Sequence, residues 1–569
     1  MQLNVGNYIE TQQSFESNIS IIDKKKNGIF FTNNTEIIDI IFNNIHFDEN
    51  ILSKIIFEPS CGHGIFITSF IIKLYENYPN KQVISNFIEH NIYFNDIDID
   101  MVHITIDNIQ NIFLTLFTEE FQGKFNSFNL DFTIKNTSNN LFINSETMLE
   151  KLYNIVDYII GNPPYISLYG RRDQKKNESQ RVYYLENYKQ FPNTVKNGKI
   201  NYIMLFIEHS LELLKDNGSF SFIIDLSFFE TAFKHTRKYL LNYTQIDKII
   251  YNINTFKNVG SGQLVIIVTK GYKQNHTINT IDYKTKKSSV FKQDNWNNPE
   301  DEYKFRIEEG CENSNKILNK IFNKKDNTLK ELYPKKNLRT CVMLLNFESE
   351  FIFTRSDIDN DIDNFPYYQG SKGVQYKYSI PNYEKYFYYD KKLQDNINND
   401  LKIELTKRGI KNKKRIGLGE IEIYNNPKVY IRQSAKEIIA TYDEDKSAAN
   451  NSLYVFTLRD NSIKSKLFLK FLTGFFNTKL VTFFAQKRRI IRYNQGKQPQ
   501  IKVSDLYQIN IPSNLDLQNK IANIVNKIYK NLINAEVLKD EIDQIIFNYY
   551  QLSNQDILFI EKAIEEFLQ

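Results

Sequence analysis

Short apolar segments alternate with helical ones in the first half of this 569-residue chain. Residues 51–59, 91–100 and 155–165 each contain an apolar run that ends in a turn or in acidic side chains. Apolar residues at helical spacing follow the first run, over residues 66–78. Continuous apolar strands separated by helices are typical of a mostly parallel sheet that is buried on both faces. The sequence therefore predicts a doubly wound α/β domain.

The second half of the chain loses this alternation. Residues 284–304 are polar and have no period, which predicts an exposed connection. Short strands and basic clusters occur between residues 340 and 512, and from Leu515 onward an apolar stripe indicates a helix that packs on its own domain. We predict a first domain over 1–275, a connection over 276–339, a second, α+β domain over 340–512 and a helical segment over 513–569.

Composition excludes several classes of protein. The three cysteines, Cys61, Cys311 and Cys341, are too far apart for a disulfide framework or a Cys-x-x-Cys zinc site. The seven histidines show no metal-ligand spacing, so we expect no metal. The net charge of +5 is too small for a histone-like polycation. No apolar run approaches the ~18 residues of a membrane helix, and we expect a cytoplasmic protein that does not bind membranes.

Polar side chains follow the first two predicted strands, at the edge where open α/β sheets bind ligands. Glu58 ends the first strand and is followed by Ser60, Gly62 and Gly64. Asp96 ends the second strand, where an acid can accept hydrogen bonds from both hydroxyls of a ribose. The Gly-x-Gly-x-x-Gly phosphate cradle is absent, and Glu58 would repel a pyrophosphate. The residues favour a positively charged nucleoside, which indicates S-adenosylmethionine; the alternative is a helix N-terminus with incidental acids.

The segment Gly161-Asn162-Pro163-Pro164-Tyr165 follows the third predicted strand. Two consecutive prolines fix the backbone and remove two N–H donors, so the carbonyl groups beside them have no neighbouring donor. Asn162 adds a side-chain carbonyl, and Tyr165 adds a planar ring. Such a corner suits an exocyclic amine, because two acceptors can draw the amine toward tetrahedral geometry and localise its lone pair for attack on a sulfonium methyl group. The alternative is a turn that merely ends a strand.

These segments resemble the amino-methyltransferases that act on DNA. Residues 161–165, GNPPY, resemble motif IV, and NPPY in particular resembles the N6-adenine enzymes. Residues 26–32, KNGIFFT, look like the family's N-terminal motif, although Asn33 replaces its usual proline. Residues 57–66, FEPSCGHGIF, resemble the cofactor motif. The motif order is that of the gamma group, and the layout beyond residue 275 is similar to restriction–modification enzymes with a C-terminal target-recognition domain.

The resemblance implies a Rossmann-like, S-adenosylmethionine-dependent methyltransferase domain with a mostly parallel seven-stranded sheet. An α+β target-recognition domain and a C-terminal helical segment would follow it. The cofactor residues that it implies are Thr32, Glu58, Ser60, Gly62, Asp96, Ile97, Asp131, Phe132, Asn162 and Phe206. The implied catalytic residues are Asn162, Pro163, Pro164 and Tyr165, with Tyr165 and Phe256 holding a flipped adenine. We expect no general base, because nothing titratable lies in the motif before Tyr165.

Two basic clusters in the second predicted domain favour contact with nucleic-acid phosphates. Their residues are Lys407, Arg408, Lys413, Lys414 and Arg415 in the first cluster, and Lys487, Arg488, Arg489 and Arg492 in the second. The expected partner is double-stranded DNA. No convincing nuclease pattern of paired acids and Glu-x-Lys is present, so a cognate restriction endonuclease would act separately. The protein itself would be a monomer or a homodimer.

Two other functions stay open at this point. An NPPY methyltransferase of RNA or of a protein glutamine would suit the same corner, because a guanine amine or a planar amide resembles the adenine amine. A DNA-specificity protein without catalysis would keep the fold alone. The large C-terminal region favours DNA over the first alternative, and the intact segment 162–165 argues against the second.

Overall fold

The computed structural model forms two compact units, Met1–Ile307 and Glu308–Gln569. The structure describes residues 35–135, 148–168, 174–191, 200–229, 231–253, 262–299, 301–307, 312–334, 336–354, 364–407, 415–492, 498–530 and 535–568. Five residues with predicted roles lie outside these ranges: Thr32, Phe256, Arg408, Lys413 and Lys414. Among the described helices none alone has the length and apolarity to cross a membrane; one bent pair, Ile463–Phe476 with Lys479–Lys487, meets that test together.

One sheet organises the first unit. Its described strands are β1 (Ile56–Glu58), β2 (Ile92–Asn95), β3 (Asn126–Phe128), β4 (Val156–Gly161), β5 (Leu214–Asp225), β6 (Thr244–Ile253), β7 (Gln263–Lys270), β8 (Thr277–Asp282) and β9 (Ser288–Lys292). They lie in the order β3-β2-β1-β4-β5-β7-β6-β8-β9. The first five strands are parallel, and β7 is antiparallel to both of its neighbours. The predicted Rossmann-like fold is confirmed, and the strand order reverses between β1 and β4, where such sheets bind ligands.

Strands β8 and β9 differ from the prediction. The predicted sheet has seven strands, whereas β8 pairs with β6 and β9 pairs with β8, which gives nine. The predicted connection over 276–339 therefore begins inside the sheet. Both strands are short and half-exposed, since every second residue of β9 faces solvent. A polar edge hairpin lacks the continuous apolar run of a buried strand, which explains why its sequence looks like a linker.

Helices cover both faces of this sheet. They are α1 (Thr35–Phe42), α2 (Ile65–Asn77), α3 (Lys81–Asn91), α4 (Ile99–Phe117), α5 (Gln174–Asn187), α6 (Tyr202–Leu213) and α7 (Lys234–Tyr243). Side chains alternate between two apolar clusters along the central strands: Ile56 and Ile160 belong to the cluster that contains α2, and Phe57 and Ile159 to the cluster that contains α6. Alternation of this kind is what burial on both faces requires.

The second unit combines small sheets with a helical layer. Its described strands are β10 (Leu338–Thr340), β11 (Ile352–Thr354), β12 (Asn364–Tyr368), β13 (Lys385–Tyr388), β14 (Lys428–Arg432), β15 (Ala440–Asp443), β16 (Ala448–Ala449), β17 (Leu453–Thr457), β18 (Ile491–Arg492) and β19 (Gln500–Ile501). The sheet orders are β10-β17-β14-β15, β11-β13-β12-β16 and β18-β19. The helices are α8 (Glu312–Asn323), α9 (Leu329–Leu332), α10 (Gly370–Gly373), α11 (Lys391–Lys407), α12 (Glu422–Asn425), α13 (Ile463–Phe476), α14 (Lys479–Lys487), α15 (Val503–Leu506), α16 (Leu515–Lys530), α17 (Ala535–Tyr549) and α18 (Asn554–Leu568).

The C-terminal helices and α8 belong to the same core as the second unit's first sheet. Helix α8 buries Ile317 and Ile321 in the apolar cluster that also holds the stripe of α16. The stripe packs on α13, where a Cβ atom at Gly474 would lie 2.6 Å from Ile521 and 2.9 Å from Val525. The prediction that this helix packs on its own chain agrees with these contacts. The predicted boundaries at 339 and 512 have no counterpart in the division of the chain.

Candidate active site

The loop after β1 closes around the end of β2. The backbone N–H of Gly62 donates a hydrogen bond to Oδ2 of Asp96 at 2.9 Å. Gly62 and Gly64 adopt left-handed φ angles of 53° and 71°. A Cβ atom at Gly64 would lie 2.6 Å from the side chain of Thr105, so only glycine fits there without displacing the helix α4. The two glycines therefore let the loop pass close to the ends of both strands.

Glu58 ends β1 and is only 1% exposed. Its Oε2 atom accepts no hydrogen bond within the described part of the chain. Burial raises the pKa of Glu58 well above its ordinary value, and the nearby charge of Asp96 raises it further. A buried carboxyl group with an unused oxygen suits a ligand that brings a positive charge or a hydrogen-bond donor. This environment fits the sulfonium or ammonium group of S-adenosylmethionine.

Asp96 lies at the turn between β2 and α4. Its Oδ1 atom accepts a hydrogen bond from the backbone N–H of Asp98 at 3.0 Å. The amide of Asn129 donates to the carbonyl oxygens of Asp96 and Ile97, at 2.9 and 3.0 Å. The side chain of Ile97 is 68% exposed beside this turn. The turn therefore holds a carboxylate and an apolar side chain together, as a ribose and an adenine ring require.

Asn95 is a central residue that our sequence reasoning missed. Its amide group donates to the carbonyl oxygens of Pro59 and Leu130, both at 3.0 Å, and its side-chain oxygen accepts from the N–H of Leu130 at 3.0 Å. The side chain is 1% exposed. One buried amide thus joins the loops after β1, β2 and β3. A polar residue at the end of an otherwise apolar strand is the signal that points to it.

The loop after β3 supplies an aromatic surface. The Phe132 ring lies 4.8 Å from that of Phe206 and stacks on the His209 ring at 4.4 Å, measured between centroids. Asp131 accepts hydrogen bonds at Oδ1 from the backbone and hydroxyl of Thr133, at 2.9 and 2.6 Å. Its Oδ2 atom accepts none from the described residues and is available to an amine. Helix α6 therefore places Phe206 against the loop that carries Asp131, and its contact with the cofactor stays a prediction.

The segment after β4 brings the side chains of Asn162 and Tyr165 together, and their catalytic roles stay predictions. Tyr165 donates a hydrogen bond from its hydroxyl group to Oδ1 of Asn162 at 2.9 Å. Ser60 donates to the backbone carbonyl of Asn162 at 3.4 Å, which connects the corner to the loop after β1. Pro163 is buried, and its carbonyl oxygen accepts no hydrogen bond from the part of the chain that the structure describes. Asn162 is half-buried, so an incoming base can reach it.

The N-terminus of α6 holds the corner from the other side. Asn201 caps the helix by accepting the N–H of Ile203 at 2.9 Å, and its amide donates to the hydroxyl of Ser167 at 3.1 Å. The N–H of Leu168 donates to the carbonyl of Ile200 at 3.0 Å. The chain after Tyr165 is thereby tied to the same helix that carries Phe206. One helix thus contacts the segment after Tyr165 and also carries Phe206, a predicted cofactor residue.

The predicted basic clusters have mixed environments. Lys407 and Arg415 are exposed. Arg488 is half-buried, with its guanidinium carbon 5.4 Å from the centre of the Phe322 ring. Lys487 and Arg489 are also half-buried.

The prediction for Arg492 does not fit the structure. Its side chain is 7% exposed, and its guanidinium group contacts Oδ2 of Asp505 at 2.6 and 3.1 Å. A buried arginine that is already paired with a carboxylate stabilises the fold instead of contacting phosphates.

A groove of about 740 Å³ lies elsewhere on the first unit. It is lined by residues at the starts of β4, β5 and β6, among them Asn154, Asp216 and Tyr243. The candidate site lies at the opposite edge of the sheet, at the ends of the parallel strands. Asp, Glu, His and Cys residues within the described ranges form no group of three that could hold a metal.

Comparisons with known proteins agree with this site. Residues 90–257 match the family model of the Eco57I restriction-modification methylase. The chain carries a restriction-modification methylase domain. The methylase match includes β2 through β6 and therefore the Asn162 corner. Residues 365–511 match the TaqI-like C-terminal specificity domain. The sequence has no match among curated proteins.

Solved structures show the same fold at low sequence identity. The type IIL restriction-modification enzyme MmeI in complex with DNA has a TM-score of 0.59 and 12% identity, over 97% of this chain and 81% of that one. The structure of the DrdV–DNA complex has a TM-score of 0.55 and 13% sequence identity, over 93% of this chain and 60% of that one. The ATP-dependent type ISP restriction-modification enzyme LlaBIII bound to DNA has a TM-score of 0.56 and 11% sequence identity, over 93% of this chain and 41% of that one. The chain thus spans about two fifths of LlaBIII.

Together the two matched domains are those of a DNA methyltransferase of a restriction–modification system, whose cofactor is S-adenosylmethionine. The described residues fit this cofactor. Glu58 has an unused buried oxygen, and Asp131 has an unused Oδ2 atom. A side chain at Gly64 would clash with Thr105, so glycine there lets the loop keep its course beside Asp96. We expect Glu58, Asp96 and Asp131 to hold S-adenosylmethionine.

Proposed function

We propose that this protein methylates N6 of adenine at a specific sequence of duplex DNA. The observation that carries the proposal is the corner after β4, where Asn162 and Pro163 present carbonyl oxygens beside the ring of Tyr165. The resemblance of NPPY to the N6-adenine enzymes favours adenine over cytosine, whose exocyclic amine has the same donors. Cytosine N4 therefore remains an outcome that the experiment must distinguish.

The corner acts on the amine by geometry. When bound, S-adenosylmethionine supplies an electrophilic methyl group. Asn162 Oδ1 and the Pro163 carbonyl each accept one hydrogen bond from the adenine N6 amine, and the ring of Tyr165 stacks on the base. These two hydrogen bonds draw N6 toward tetrahedral geometry, which makes its lone pair available for attack on the methyl group. The bond to Ser60 keeps this corner beside the cofactor loop.

The proposed step needs no general base. Asp225 acts electrostatically on Tyr165, since burial and then its negative charge raise the pKa of that phenol well above its ordinary value. Tyr165 therefore stays protonated and remains a hydrogen-bond donor at neutral pH. The N6 proton can leave to water after methyl transfer, when the amine carries a positive charge.

Methylation of purified DNA tests this function. The full chain is incubated with isotope-labelled S-adenosylmethionine and duplex DNA, and the DNA is digested and its nucleosides are identified by mass spectrometry. We expect labelled N6-methyladenine with wild-type protein and a loss of at least about 100-fold with Asn162→Ala, in line with removal of one preorganised contact to the reacting group. Label in N4-methylcytosine, or only in RNA or in a protein glutamine, contradicts the proposal.

We further propose that the protein works as a monomer or homodimer and that a cognate endonuclease acts separately. The second statement rests on the sequence analysis, which finds no convincing nuclease pattern of paired acids and Glu-x-Lys. Light scattering of the purified chain tests the first statement. Incubation with unmethylated target DNA and Mg²⁺ tests the second, because cleavage by the chain alone would contradict it.

A further inference from the structure

Three segments of the second unit converge at the end of β14. Arg432 is the last residue of this strand, and its Nη1 atom donates to the carbonyl of Gln375 at 3.4 Å. The hydroxyl of Ser434 donates to the side-chain oxygen of Gln498 at 3.2 Å. We call Gln375, Tyr376, Arg432, Ser434 and Gln498 the Arg432 surface. All five residues lie within the region that matches a specificity domain.

Arg432 has donors to spare. A guanidinium group has five N–H donors, and the long contact with Gln375 is its single hydrogen bond within the described residues. Glu437, the acid whose charge acts on it, is already paired with Lys377. Arg459 provides a contrast in the same unit, because its guanidinium group is paired with Glu420.

The Arg432 surface is held rigidly. The N–H of Arg432 donates to the carbonyl of Ile439 at 3.0 Å, and β14 pairs with a strand on each side. Tyr376 is 71% exposed, yet the residues two places before and after it, Val374 and Tyr378, are 0% and 3% exposed. The N–H of Tyr378 also donates to Ala440 at 3.2 Å. Buried neighbours therefore anchor the backbone that carries the exposed ring of Tyr376 and the guanidinium group of Arg432.

The chemistry of this surface suits the edges of base pairs. A guanidinium fork donates two parallel hydrogen bonds to O6 and N7 of guanine, and glutamine amides match N6 and N7 of adenine. None of the five residues carries a carboxylate, and the nearby Glu437 is paired with Lys377. A guanidinium group at the end of a paired strand is positioned by its backbone, as a contact with one particular base edge requires. A contact with a phosphate would leave the sequence motif unchanged.

We propose that the Arg432 surface reads base edges of duplex DNA and that Arg432 specifies a guanine at one position of the recognised sequence. This inference rests on the proposed function. The inference names the residue that selects the DNA sequence. The basic clusters, by contrast, would contact phosphates and supply affinity without selecting a sequence.

The experiment compares wild-type protein with Arg432→Ala, Arg432→Lys and the control Arg459→Ala, all as the full chain. Each is expressed in cells, and the modified bases of the genomic DNA are sequenced to obtain the methylated motif. Binding of each purified protein to a library of random duplexes gives the sequence preference without catalysis. Melting curves confirm that each variant is folded.

We expect Arg432→Ala to lose guanine preference at one motif position and to methylate the original site about 10- to 100-fold more slowly, which corresponds to one bidentate base contact. Arg432→Lys should behave similarly, because it keeps the charge but loses the fork. Arg459→Ala should keep the motif. An unchanged motif in Arg432→Ala, or full recovery by Arg432→Lys, overturns the inference while the proposed function stands. Absence of DNA methylation by wild-type protein overturns the proposed function instead, and the duplex library then decides the role of Arg432 alone.

Discussion

The hydroxyl group of Tyr165 donates a hydrogen bond to the side-chain oxygen of Asn162 at 2.9 Å. A carbonyl oxygen has two lone pairs and can accept more than one hydrogen bond, so this bond is compatible with a second one from an amine. The same hydroxyl lies 3.4 Å from the carbonyl of Ile223 on β5. Tyr165 thereby orients the amide of Asn162 through its hydroxyl group, in addition to the stacking that we propose for its ring.

Replacement of the Tyr165 hydroxyl should separate these two tasks. Tyr165→Phe keeps the ring and removes the donor, so we expect kcat to fall about 3- to 10-fold, as for one hydrogen bond worth about 1 kcal/mol. KM for DNA should change little. Tyr165→Ala also removes the stacking surface and should weaken binding of the flipped base. Single-turnover methyl transfer measures both effects, and a Tyr165→Phe enzyme as fast as wild type would show that the hydroxyl does not position Asn162.

Binding of S-adenosylmethionine should become tighter as the pH rises. Glu58 has a raised pKa in the free protein, and a cationic ligand favours its charged form, so binding releases a proton. Affinity then increases by up to about tenfold per pH unit below the pKa of Glu58 and levels off above it. Calorimetry across a pH series measures this slope.

Two controls accompany that measurement. Glu58→Gln should lose most of the pH dependence, because the titrating group is gone. S-adenosylhomocysteine carries no sulfonium charge and should show a shallower slope with the wild-type protein. Equal slopes for Glu58→Gln and wild type would assign the proton to another group.

Asn95 should be important for stability although it contacts no reacting atom. Asn95→Ala removes three buried hydrogen bonds and leaves the groups at Pro59 and Leu130 unpaired, which should cost about 2–3 kcal/mol. We expect the melting temperature to fall by roughly 5 °C or more and the affinity for S-adenosylmethionine to fall with it. The exposed Asn77, whose side chain bonds among the described residues only to the carbonyl of Lys73, is the matched control. Asn77→Ala should melt within about 1–2 °C of wild type, and an equally mild Asn95→Ala would refute the bridging role.

The basic residues of the second unit should separate into two groups. Removal of one phosphate contact lowers the slope of log K against log salt concentration by about 0.9. We expect this change for Lys407→Ala and Arg415→Ala, whose side chains are exposed. DNA binding by fluorescence anisotropy at several salt concentrations gives the slope. If both variants have the same salt slope as wild type, this cluster does not contact the DNA phosphates.

Arg492→Ala should act on folding instead. It leaves Asp505 charged and buried, which should cost about 3–5 kcal/mol. The double variant Arg492→Met with Asp505→Leu replaces the pair by apolar side chains and should recover most of the stability. Its salt slope should equal that of wild type. A reduced salt slope in this folded double variant would show that Arg492 contacts DNA after all.

The sequence predicts the location of a functional side chain where that side chain lies at the end of a single apolar strand. The apolar runs before Glu58, Asp96 and Asn162 predict three parallel strands, and the structure places their ends at one edge of the sheet. The proline pair after β4 predicts a fixed corner for a purely local reason, because proline restricts its own backbone. Local features of this kind can be read without knowledge of distant contacts.

The remaining features depend on partners that are remote in sequence. The role of Asn95 requires Pro59 and Leu130 to be brought together by strand pairing. Arg492 lies in a charged run that looks solvated, and its burial depends on Asp505, 13 residues later. The extra strands β8 and β9 are too polar to be distinguished from a linker before β6 is known to lie beside them. In each case tertiary contacts decide the environment.

The edge hairpin also changes which strand forms the outer boundary of the methylase sheet. Without β8, strand β6 would end the sheet and expose backbone groups next to Ile249 and Ile250, an arrangement that invites pairing with another chain. Strand β9 instead forms the outer boundary, with lysines at 286, 287 and 292 around it. Charged lysines beside an open strand discourage intermolecular pairing. A polar segment that resembles a linker thus takes the place of an apolar strand at the open edge of the sheet.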